Sequence, residues 1–211
     1  MPPNRFTGMA SRPDLEVEKA AARRQARALR AAIDDPAAAL GLIDNFPVEL
    51  AKMGGPVAGY WPFGGEIDCR PLMAALTKAG LAVALPRMDA RDAQARFLMW
   101  EGGPLRPDAF GVMAPPADAR EIFPKLILTP LLAFDRRGQR LGQGGGHYDK
   151  TLARLKPQGA VAVGIAYAAQ EMDEVPTGPL DQPMDWIVTD KEAIRCWDGF
   201  RPEAKDGLRG R

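Results

Sequence analysis

The stretch Pro130–Asp149 reads Pro-Leu-Leu-Ala-Phe-Asp-Arg-Arg-Gly-Gln-Arg-Leu-Gly-Gln-Gly-Gly-Gly-His-Tyr-Asp. The short apolar run before it, residues 125–129, is typical of a buried parallel strand, and Tyr148, Leu152 and Leu155 then recur at helical spacing. A strand, a glycine-rich loop and a helix start form an anion site, because glycines let backbone N–H groups turn inward and a helix N-terminus carries partial positive charge. The stretch therefore predicts an α/β fold with a phosphate-binding loop.

Neither of the two common nucleotide-binding fingerprints fits this loop. A P-loop needs Lys and then Ser or Thr after its last glycine, but Gly146 is followed by His147 and Tyr148. A dinucleotide-binding loop needs Gly-x-Gly-x-x-Gly, and the spacing here differs; the glycines are Gly142, Gly144, Gly145 and Gly146. The alternative for a bare glycine cluster is a tight or mobile turn.

Two charged residues of the loop favour the anion site. The guanidinium of Arg140 can bind phosphate, and Asp149, in the first turn of the predicted helix, can offer a carboxylate oxygen to Mg²⁺. The alternative for Asp149 is a charge that interacts with the helix dipole.

Composition limits the classes of protein to consider. The chain has 211 residues, 46% hydrophobic and 26% charged, with a formal net charge of +1. The length is that of a single α/β domain. The near-neutral charge argues against a dedicated nucleic-acid binder. Cys69 and Cys196 are too far apart in sequence for a metal-ligand motif, and two cysteines are too few for a disulfide scaffold. No apolar run approaches the roughly 20 residues of a membrane span. We expect a cytoplasmic protein that contacts no membrane and acts as a monomer.

Apolar runs alternate with helical segments between residues 13 and 198, which we interpret as a single domain between flexible ends at 1–12 and 199–211. Helices are expected at 11–33, 36–45, 67–79 and from about 146. Strands are expected at 57–61, 81–85 (ended by Pro86), 96–100, 125–129, 160–167 and 186–189. The alternation predicts a three-layer α/β fold, with a mainly parallel sheet, helices on both faces, and ligands at the carboxyl ends of the strands.

A basic stripe follows one face of the first predicted helix. Its members are Lys19, Arg23, Arg27 and Arg30, at steps of four, four and three. Such a stripe is usually a solvated face. Docked near the glycine loop, it would instead complete a polyphosphate site.

The segment Tyr60–Glu66 reads Tyr-Trp-Pro-Phe-Gly-Gly-Glu and is a second candidate for ligand binding. A strand that ends in aromatics and breaks at two glycines before a carboxylate could form a wall for a flat ring and an acceptor for its N–H groups. The alternative is core or rim packing. His147 is the single histidine of the chain, and we interpret it as a hydrogen-bonding or stacking residue rather than a general base.

Taken together and in this order, the segments resemble the 5-formyltetrahydrofolate cyclo-ligase family. The family loop reads Pro, then Phe-Asp, a Gly, and Arg-Leu-Gly-x-Gly-x-Gly-Tyr-Tyr-Asp. The matching residues here are Pro130, Phe134, Asp135, Gly138 and 140–149, with weaker matches at Lys19, Arg23, Glu66-Ile67, Pro86-Arg87 and Phe110-Gly111. The resemblance implies a fold like that of ribose-5-phosphate isomerases and CoA transferases. It also implies an ATP- and Mg²⁺-dependent conversion of 5-formyltetrahydrofolate to 5,10-methenyltetrahydrofolate, with release of ADP and phosphate.

The resemblance also implies roles for individual residues. Catalytic roles fall to Arg140 and Asp149, and Mg²⁺ would be held by Asp149 and Asp181, with Asp185 a nearby alternative to the latter. ATP would be bound by Lys19, Arg23, Arg140, Leu141, Gly142, Gln143, Gly144, Gly145, Gly146, His147 and Tyr148. The folate, with or without a polyglutamate tail, would be bound by Trp61, Glu66 and His147. The chain departs from the family at His147, where tyrosine is usual, and at Gln143, where arginine or tyrosine is common.

Two alternatives to this function stay open at the level of sequence. One is a non-catalytic folate- or nucleotide-binding relative on the same scaffold, and the other is a phosphosugar isomerase on the same fold. The proline-rich segment 104–124 raises the further question of whether it forms a lid over the site.

Overall fold

The computed structural model describes residues 12–90 and 94–196. The predicted flexible ends, apart from Arg12, lie outside the described residues. The α-helices are α1 (Arg12–Ala31), α2 (Ala38–Asn45), α3 (Val48–Lys52), α4 (Arg70–Lys78) and α5 (His147–Leu155), and short 3₁₀ helices cover Lys156–Gln158 and Ala168–Gln170. The strands are β1 (Val57–Ala58), β2 (Val83–Arg87), β3 (Arg96–Met99), β4 (Arg106–Pro107), β5 (Met113–Ala114), β6 (Leu126–Pro130), β7 (Ala133–Phe134), β8 (Arg140–Leu141), β9 (Val161–Ala166), β10 (Trp186–Thr189) and β11 (Ala193–Arg195).

Seven strands form one sheet in the order β11-β10-β9-β6-β1-β2-β3. The strands from β10 to β2 are parallel, and the edge strands β11 and β3 are antiparallel to their neighbours. The connection after β1 leads to β2 on one side, whereas the connection after β6 leads to β9 on the other side. Neighbouring strands whose connections diverge leave a crevice at their carboxyl ends. The topology therefore places a site between β1 and β6.

Helices cover both faces of the sheet, which confirms the predicted three layers. One face packs its larger side chains, such as Val57 and Leu128, against α2, α3 and α4. The other face carries small residues such as Ala58 and Ala162, and it packs against Leu152 and Leu155 of α5. Within residues 12–90 and 94–196, no helix has both the length and the apolar character needed to cross a membrane.

The stretch that follows β6 contains a hairpin, formed by β7 and β8, that the sequence did not predict. The buried carboxylate of Asp135 accepts hydrogen bonds from the backbone N–H groups of Arg137 (2.9 Å) and Gln139 (3.1 Å). Gly138 has a φ of 84°, and a Cβ there would lie 2.5 Å from the carbonyl oxygen of Met184. Asp135 and Gly138 therefore shape the hairpin turn.

Several predicted boundaries need correction. Pro86 does not end its strand, since β2 continues to Arg87. Ala84 faces β1, since its carbonyl oxygen accepts a hydrogen bond from the N–H of Gly59, and Pro86, two residues on, faces the same side. Proline is tolerated there because β1 pairs with β2 only at Val83 and Ala84, so no strand lies opposite the missing N–H on that side. The sequence did not predict the short helix α3 or the edge strand β11. Segments of five and three residues are too short to show a hydrophobic periodicity.

Candidate active site at the carboxyl edge of the sheet

Two adjoining cavities lie at the crevice between β1 and β6. The first, of about 560 Å³, is lined by the glycine loop, by α1 and by residues 179–182, and we call it the glycine-loop cavity. The second, of about 640 Å³, is lined by Tyr60, Trp61, Phe63 and Phe110 among others, and we call it the aromatic cavity. The residues that line both cavities are Glu66, Met88, Pro130, Gln143, Gly145, His147 and Tyr148. We call these residues the shared wall. Molecules bound in the two cavities would both contact it and would therefore lie next to each other.

Helix α1 brings two cations to the glycine-loop cavity. Its buried face, with Ala22 and Ala26, packs on the β7–β8 hairpin. This packing fixes the positions of the two ends of the basic stripe. Lys19 Nζ lies 2.5 Å from Asp181 Oδ2, and Arg23 Nε donates a hydrogen bond to the carbonyl oxygen of Gly142 (3.2 Å). The stripe is thus a docked face, and the interpretation as a solvated face is wrong for Lys19, which is 8% exposed.

The stripe divides between the two cavities. Lys19 and Arg23 line the glycine-loop cavity, whereas Arg27 and Arg30 line the aromatic cavity. Arg27 Nη2 donates to the side chain and the carbonyl oxygen of Gln143 (3.2 and 3.3 Å). The expectation that all four cations serve one polyphosphate site therefore needs correction, since α1 spans both cavities.

The glycine loop presents backbone groups to the cavity. Gly144 and Gly146 have φ of 106° and 66°, a left-handed conformation that residues with a Cβ rarely adopt. Gly146 precedes the first residue of α5, so the loop leads into the positive end of the helix dipole. This is the arrangement expected of an anion-binding loop.

A buried ion pair closes one side of the glycine-loop cavity. Arg140 Nη2 donates to Asp149 Oδ1 (2.7 Å), which also accepts from the backbone N–H of Gln182 (3.0 Å). Burial lowers the pKa of Arg140, and the carboxylates of Asp149 and Asp181 oppose this effect. Arg140 Nε has no hydrogen-bond partner within the described residues. Arg140 as a whole lines the glycine-loop cavity, and its charge is held there by the ion pair with Asp149.

Asp149 and Asp181 form a carboxylate pair beside the same cavity. The hydrogen bonds to Asp149 all go to Oδ1, and those to Asp181, from Lys19 and the backbone N–H of Gly178, all go to Oδ2. Within the described part of the chain, one oxygen of each carboxylate is left for another ligand. No group of three His, Cys, Asp or Glu side chains in that part could hold a metal alone. The pair suits Mg²⁺, which binds one or two carboxylates together with substrate phosphates.

Asp185 is excluded as the alternative to Asp181. Its Oδ2 accepts a hydrogen bond from the backbone N–H of Ala162 (2.8 Å), and its Oδ1 lies 3.1 Å from Lys156 Nζ. It is buried between strands and does not line either cavity. Asp185 therefore has a structural role.

Aromatic rings form one wall of the second cavity. Trp61 contacts Trp100 edge to face, with ring centroids 5.7 Å apart, and the guanidinium of Arg70 lies 5.0 Å from its ring. Trp61 also packs against the hydrophobic core. The two interpretations of the aromatic segment are therefore compatible, since the core holds Trp61 in place while its ring lines the cavity.

Glu66 follows the glycine turn and faces both cavities. Its Oε2 accepts a hydrogen bond from the backbone N–H of Phe63 (3.1 Å). Burial raises the pKa of Glu66 to about 7, against the opposing effects of that hydrogen bond and of the charge on Arg30. A carboxyl group with this pKa is partly ionised near neutral pH and can accept hydrogen bonds from the N–H groups of a bound ring.

His147 and Tyr148 stand between the cavities at the start of α5. The ring of His147 contacts Phe110 edge to face at 5.2 Å, which joins the glycine loop to the proline-rich segment. Burial raises the pKa of Tyr148 above its ordinary value, so its hydroxyl stays neutral. The site includes Met88, Asp108 and Phe110, which the sequence did not assign, although the Phe110-Gly111 match to the family was a signal for the last.

Comparison with known proteins gives a consistent result. The family model described as "5-formyltetrahydrofolate cyclo-ligase family" matches residues 11–190. The 5-formyltetrahydrofolate cyclo-ligase of Escherichia coli strain K12 is 35% identical over 149 residues, which cover 68% of this chain and 80% of that protein. The enzyme of the same name from Haemophilus influenzae is 33% identical over 134 residues, covering 61% and 72% of the two chains.

A solved structure supports the same assignment. The NMR structure of Aquifex aeolicus 5,10-methenyltetrahydrofolate synthetase superimposes with a TM-score of 0.72 and 29% sequence identity, covering 90% of this chain and 98% of that chain. The glycine loop, the docked α1 and the two cavities all lie within the matched region 11–190. The chain therefore belongs to the 5-formyltetrahydrofolate cyclo-ligase family.

Proposed function

We propose that this chain converts 5-formyltetrahydrofolate to 5,10-methenyltetrahydrofolate at the expense of ATP, with release of ADP and phosphate. The observation that carries the proposal is the shared wall between the glycine-loop cavity and the aromatic cavity. One cavity suits a polyphosphate and the other suits a flat, partly polar ring system. Because the cavities adjoin, a formyl group on the ring can meet a terminal phosphoryl group.

The glycine-loop cavity binds ATP in this proposal. The loop 140–148 supplies backbone N–H groups and Arg140, and α1 supplies Lys19 and Arg23. These cations lie on different elements, so they can surround a polyphosphate from two sides. Phosphoryl transfer depends mainly on positioning and on neutralising phosphate charge, which is what such a set provides.

Asp149 and Asp181 would hold Mg²⁺ together with the phosphates of ATP. When bound, the ion neutralises phosphate charge and orients the terminal phosphoryl group. The pairing of Asp149 with Arg140 and of Asp181 with Lys19 places each carboxylate at a defined position before the nucleotide binds.

The aromatic cavity binds the folate in this proposal. Trp61 offers a rigid aromatic surface for the pterin ring, and Glu66 accepts hydrogen bonds from its N–H groups. His147, in the shared wall, contacts Phe110 and would lie against both substrates. A polyglutamate tail is compatible with the proposal but not required by it.

The chemistry follows from the meeting of the two substrates. The formyl oxygen at N5 attacks the γ-phosphorus of ATP, the bond to the ADP oxygen breaks, and a phosphorylated iminium forms. N10 then attacks the formyl carbon and loses its proton, and phosphate departs with the former formyl oxygen. Phosphorylation is needed because an amide oxygen is a poor leaving group. Met88 and Pro130 give the shared wall apolar surface, and exclusion of water there would protect the activated intermediate from hydrolysis.

The direct test is to supply the protein with 5-formyltetrahydrofolate, ATP and Mg²⁺ and to record the absorbance of methenyltetrahydrofolate. Product is expected only when all three are present. Product without ATP, or no product from a folded sample, contradicts the proposal. We also propose that the protein acts as a monomer in the cytosol; both cavities are formed by residues of a single chain, which is compatible with a monomer. Sedimentation with and without ATP tests the monomeric state.

A further inference from the structure

Arg30 is a buried cation that the proposed mechanism does not use. It is 5% exposed, at the end of α1, and its Nη2 donates a hydrogen bond to the carbonyl oxygen of Gly64 (2.6 Å). Its Nη1 is buried and has no hydrogen-bond partner within the described residues. Burying a charged donor without a hydrogen-bond partner is unfavourable, so its retention points to a ligand.

The position of Arg30 selects the kind of ligand. Arg30 lines the aromatic cavity and is absent from the lining of the glycine-loop cavity. Its guanidinium lies against Gly64 and Gly65, the turn that leads to Glu66. The donor therefore belongs to the ring-bearing substrate and not to the phosphates.

Arg30 and Glu66 offer complementary groups to one edge of a ring. A pterin presents the 2-amino group and N3–H as donors, and beside them the C4 carbonyl as an acceptor. Glu66 can accept from the donors, but it cannot bind the carbonyl oxygen when ionised. A guanidinium held next to Glu66 supplies the missing donor.

We propose that Arg30 is a folate-recognition residue that donates a hydrogen bond to the C4 carbonyl of the pterin while Glu66 accepts from the adjacent N–H groups. This inference rests on the proposed function, because it assumes a folate in the aromatic cavity. It assigns to this chain a preference for 4-oxo over 4-amino pteridines. Arg30 acts in binding, so its loss affects KM for the folate more than KM for ATP.

The test measures binding of 5-formyltetrahydrofolate and of its 4-amino counterpart to the full chain by calorimetry without ATP. The wild type is expected to bind the 4-oxo compound at least about tenfold more tightly, the value of one good hydrogen bond to a charged group. Arg30→Met is expected to reduce this preference to about threefold or less. Arg24→Met, which removes an exposed cation from the same helix, is the matched control and should leave the preference unchanged.

A second variant guards against misfolding of Arg30→Met. Arg30→Lys keeps the charge but lacks the second guanidinium nitrogen. The preference for the 4-oxo over the 4-amino compound should therefore fall about threefold or more. An unchanged preference in whichever variant folds overturns the role of Arg30, while turnover by the wild type would still support the proposed function. Absence of both turnover and folate binding in the wild type would overturn the two together.

Discussion

Arg140 Nη2 lies 2.7 Å from Asp149 Oδ1 and joins strand β8 to the first turn of α5 across the glycine loop. The alternative interpretation of Asp149 as a partner of the helix dipole alone is therefore incomplete, because the carboxylate also balances a buried guanidinium. The pair fixes the two ends of the loop to each other. It connects the fold of the loop to the phosphate and metal chemistry proposed for the site.

Asp149→Asn is expected to remove most of the turnover while the protein still folds. The amide retains an acceptor for Arg140 and for the N–H of Gln182, but it loses the charge that Mg²⁺ needs. We expect a fall in kcat of about 100-fold or more and a loss of about 1–3 kcal/mol of unfolding free energy. Steady-state kinetics and thermal unfolding measure the two effects.

Asp118→Asn is the control for this substitution, since Asp118 is exposed and lines neither cavity. It should behave as the wild type in both measurements. Asp149→Ala is a poorer probe, because it leaves Arg140 without its partner and is expected to cost about 3 kcal/mol or more in stability. Wild-type turnover in Asp149→Asn would remove Asp149 from the proposed metal site.

Arg23→Gln is expected to raise KM for ATP about tenfold and to leave KM for the folate within about twofold. The reason is that Arg23 lines the glycine-loop cavity and not the aromatic cavity. Arg24→Gln removes an equal charge from the exposed side of the same helix and should change neither constant. An equal rise of the KM values for ATP and for the folate in Arg23→Gln would contradict the assignment of Arg23 to the glycine-loop cavity alone.

Gly144→Ala tests the backbone of the loop. The φ of 106° is strained for alanine, at a cost of about 1–2 kcal/mol, and the added Cβ would lie 3.5 Å from the guanidinium carbon of Arg23. We expect a rise in KM for ATP of about five- to tenfold, because the loop must shift to relieve the strain. Gly103→Ala, at a glycine with open space and no positive φ, should leave KM unchanged. Identical behaviour of the two variants would contradict a strained phosphate loop.

Glu66→Gln is expected to stabilise the protein at alkaline pH while weakening folate binding. The pKa of Glu66 is about 7 in the folded chain against an ordinary value of 4.5 for a glutamate side chain, so the folded state holds the proton more strongly. The stability contributed by the protonated carboxyl is present below pH 4.5 and is lost as pH rises through 7. Glutamine does not titrate, so the variant escapes this loss and should gain about 1–3 kcal/mol over the wild type at pH 8.

Denaturant unfolding at pH 4.5 and pH 8 measures this difference. The groups that face Glu66 are Arg30 on α1, Tyr60 after β1, Tyr148 on α5 and Cys69 before α4. Burial raises the pKa values of both tyrosines and of the cysteine, so these groups stay neutral over the same range. A stability difference between Glu66→Gln and the wild type that is independent of pH would contradict the titration of Glu66.

Features encoded in contiguous sequence were predictable. The stretch Pro130–Asp149 runs from the last residue of β6 to the first turn of α5, as expected, because glycine spacing, an apolar run and helical periodicity are local signals. The spacing of the cations in α1 also predicted that they share one face of the helix; they are Lys19, Arg23, Arg27 and Arg30. Local sequence could not show that this face spans two cavities, since that depends on where α1 docks on the β7–β8 hairpin.

Features that depend on distant partners were not predictable. The strand through Pro86 survives because β1 is too short to pair with it there, and no local pattern reports the length of a neighbouring strand. The position of Arg30 Nη1, which has no partner among residues 12–90 and 94–196, likewise follows from the approach of α1 to the Gly64 turn, more than 30 residues away. Asp181 was separated from Asp185 by burial, hydrogen-bond partners and cavity lining, because the two aspartates follow similar local sequence, Pro-Leu and Pro-Met.

The central claim is that the shared wall brings the formyl oxygen of the folate to the γ-phosphorus of ATP. The most direct test uses 5-formyltetrahydrofolate labelled with ¹⁸O in the formyl group and follows the label by mass spectrometry of the released phosphate. We predict one labelled phosphate for each methenyltetrahydrofolate formed, since that oxygen leaves with phosphorus. Unlabelled phosphate formed alongside the product would mean that water attacks ATP, and it would contradict the account.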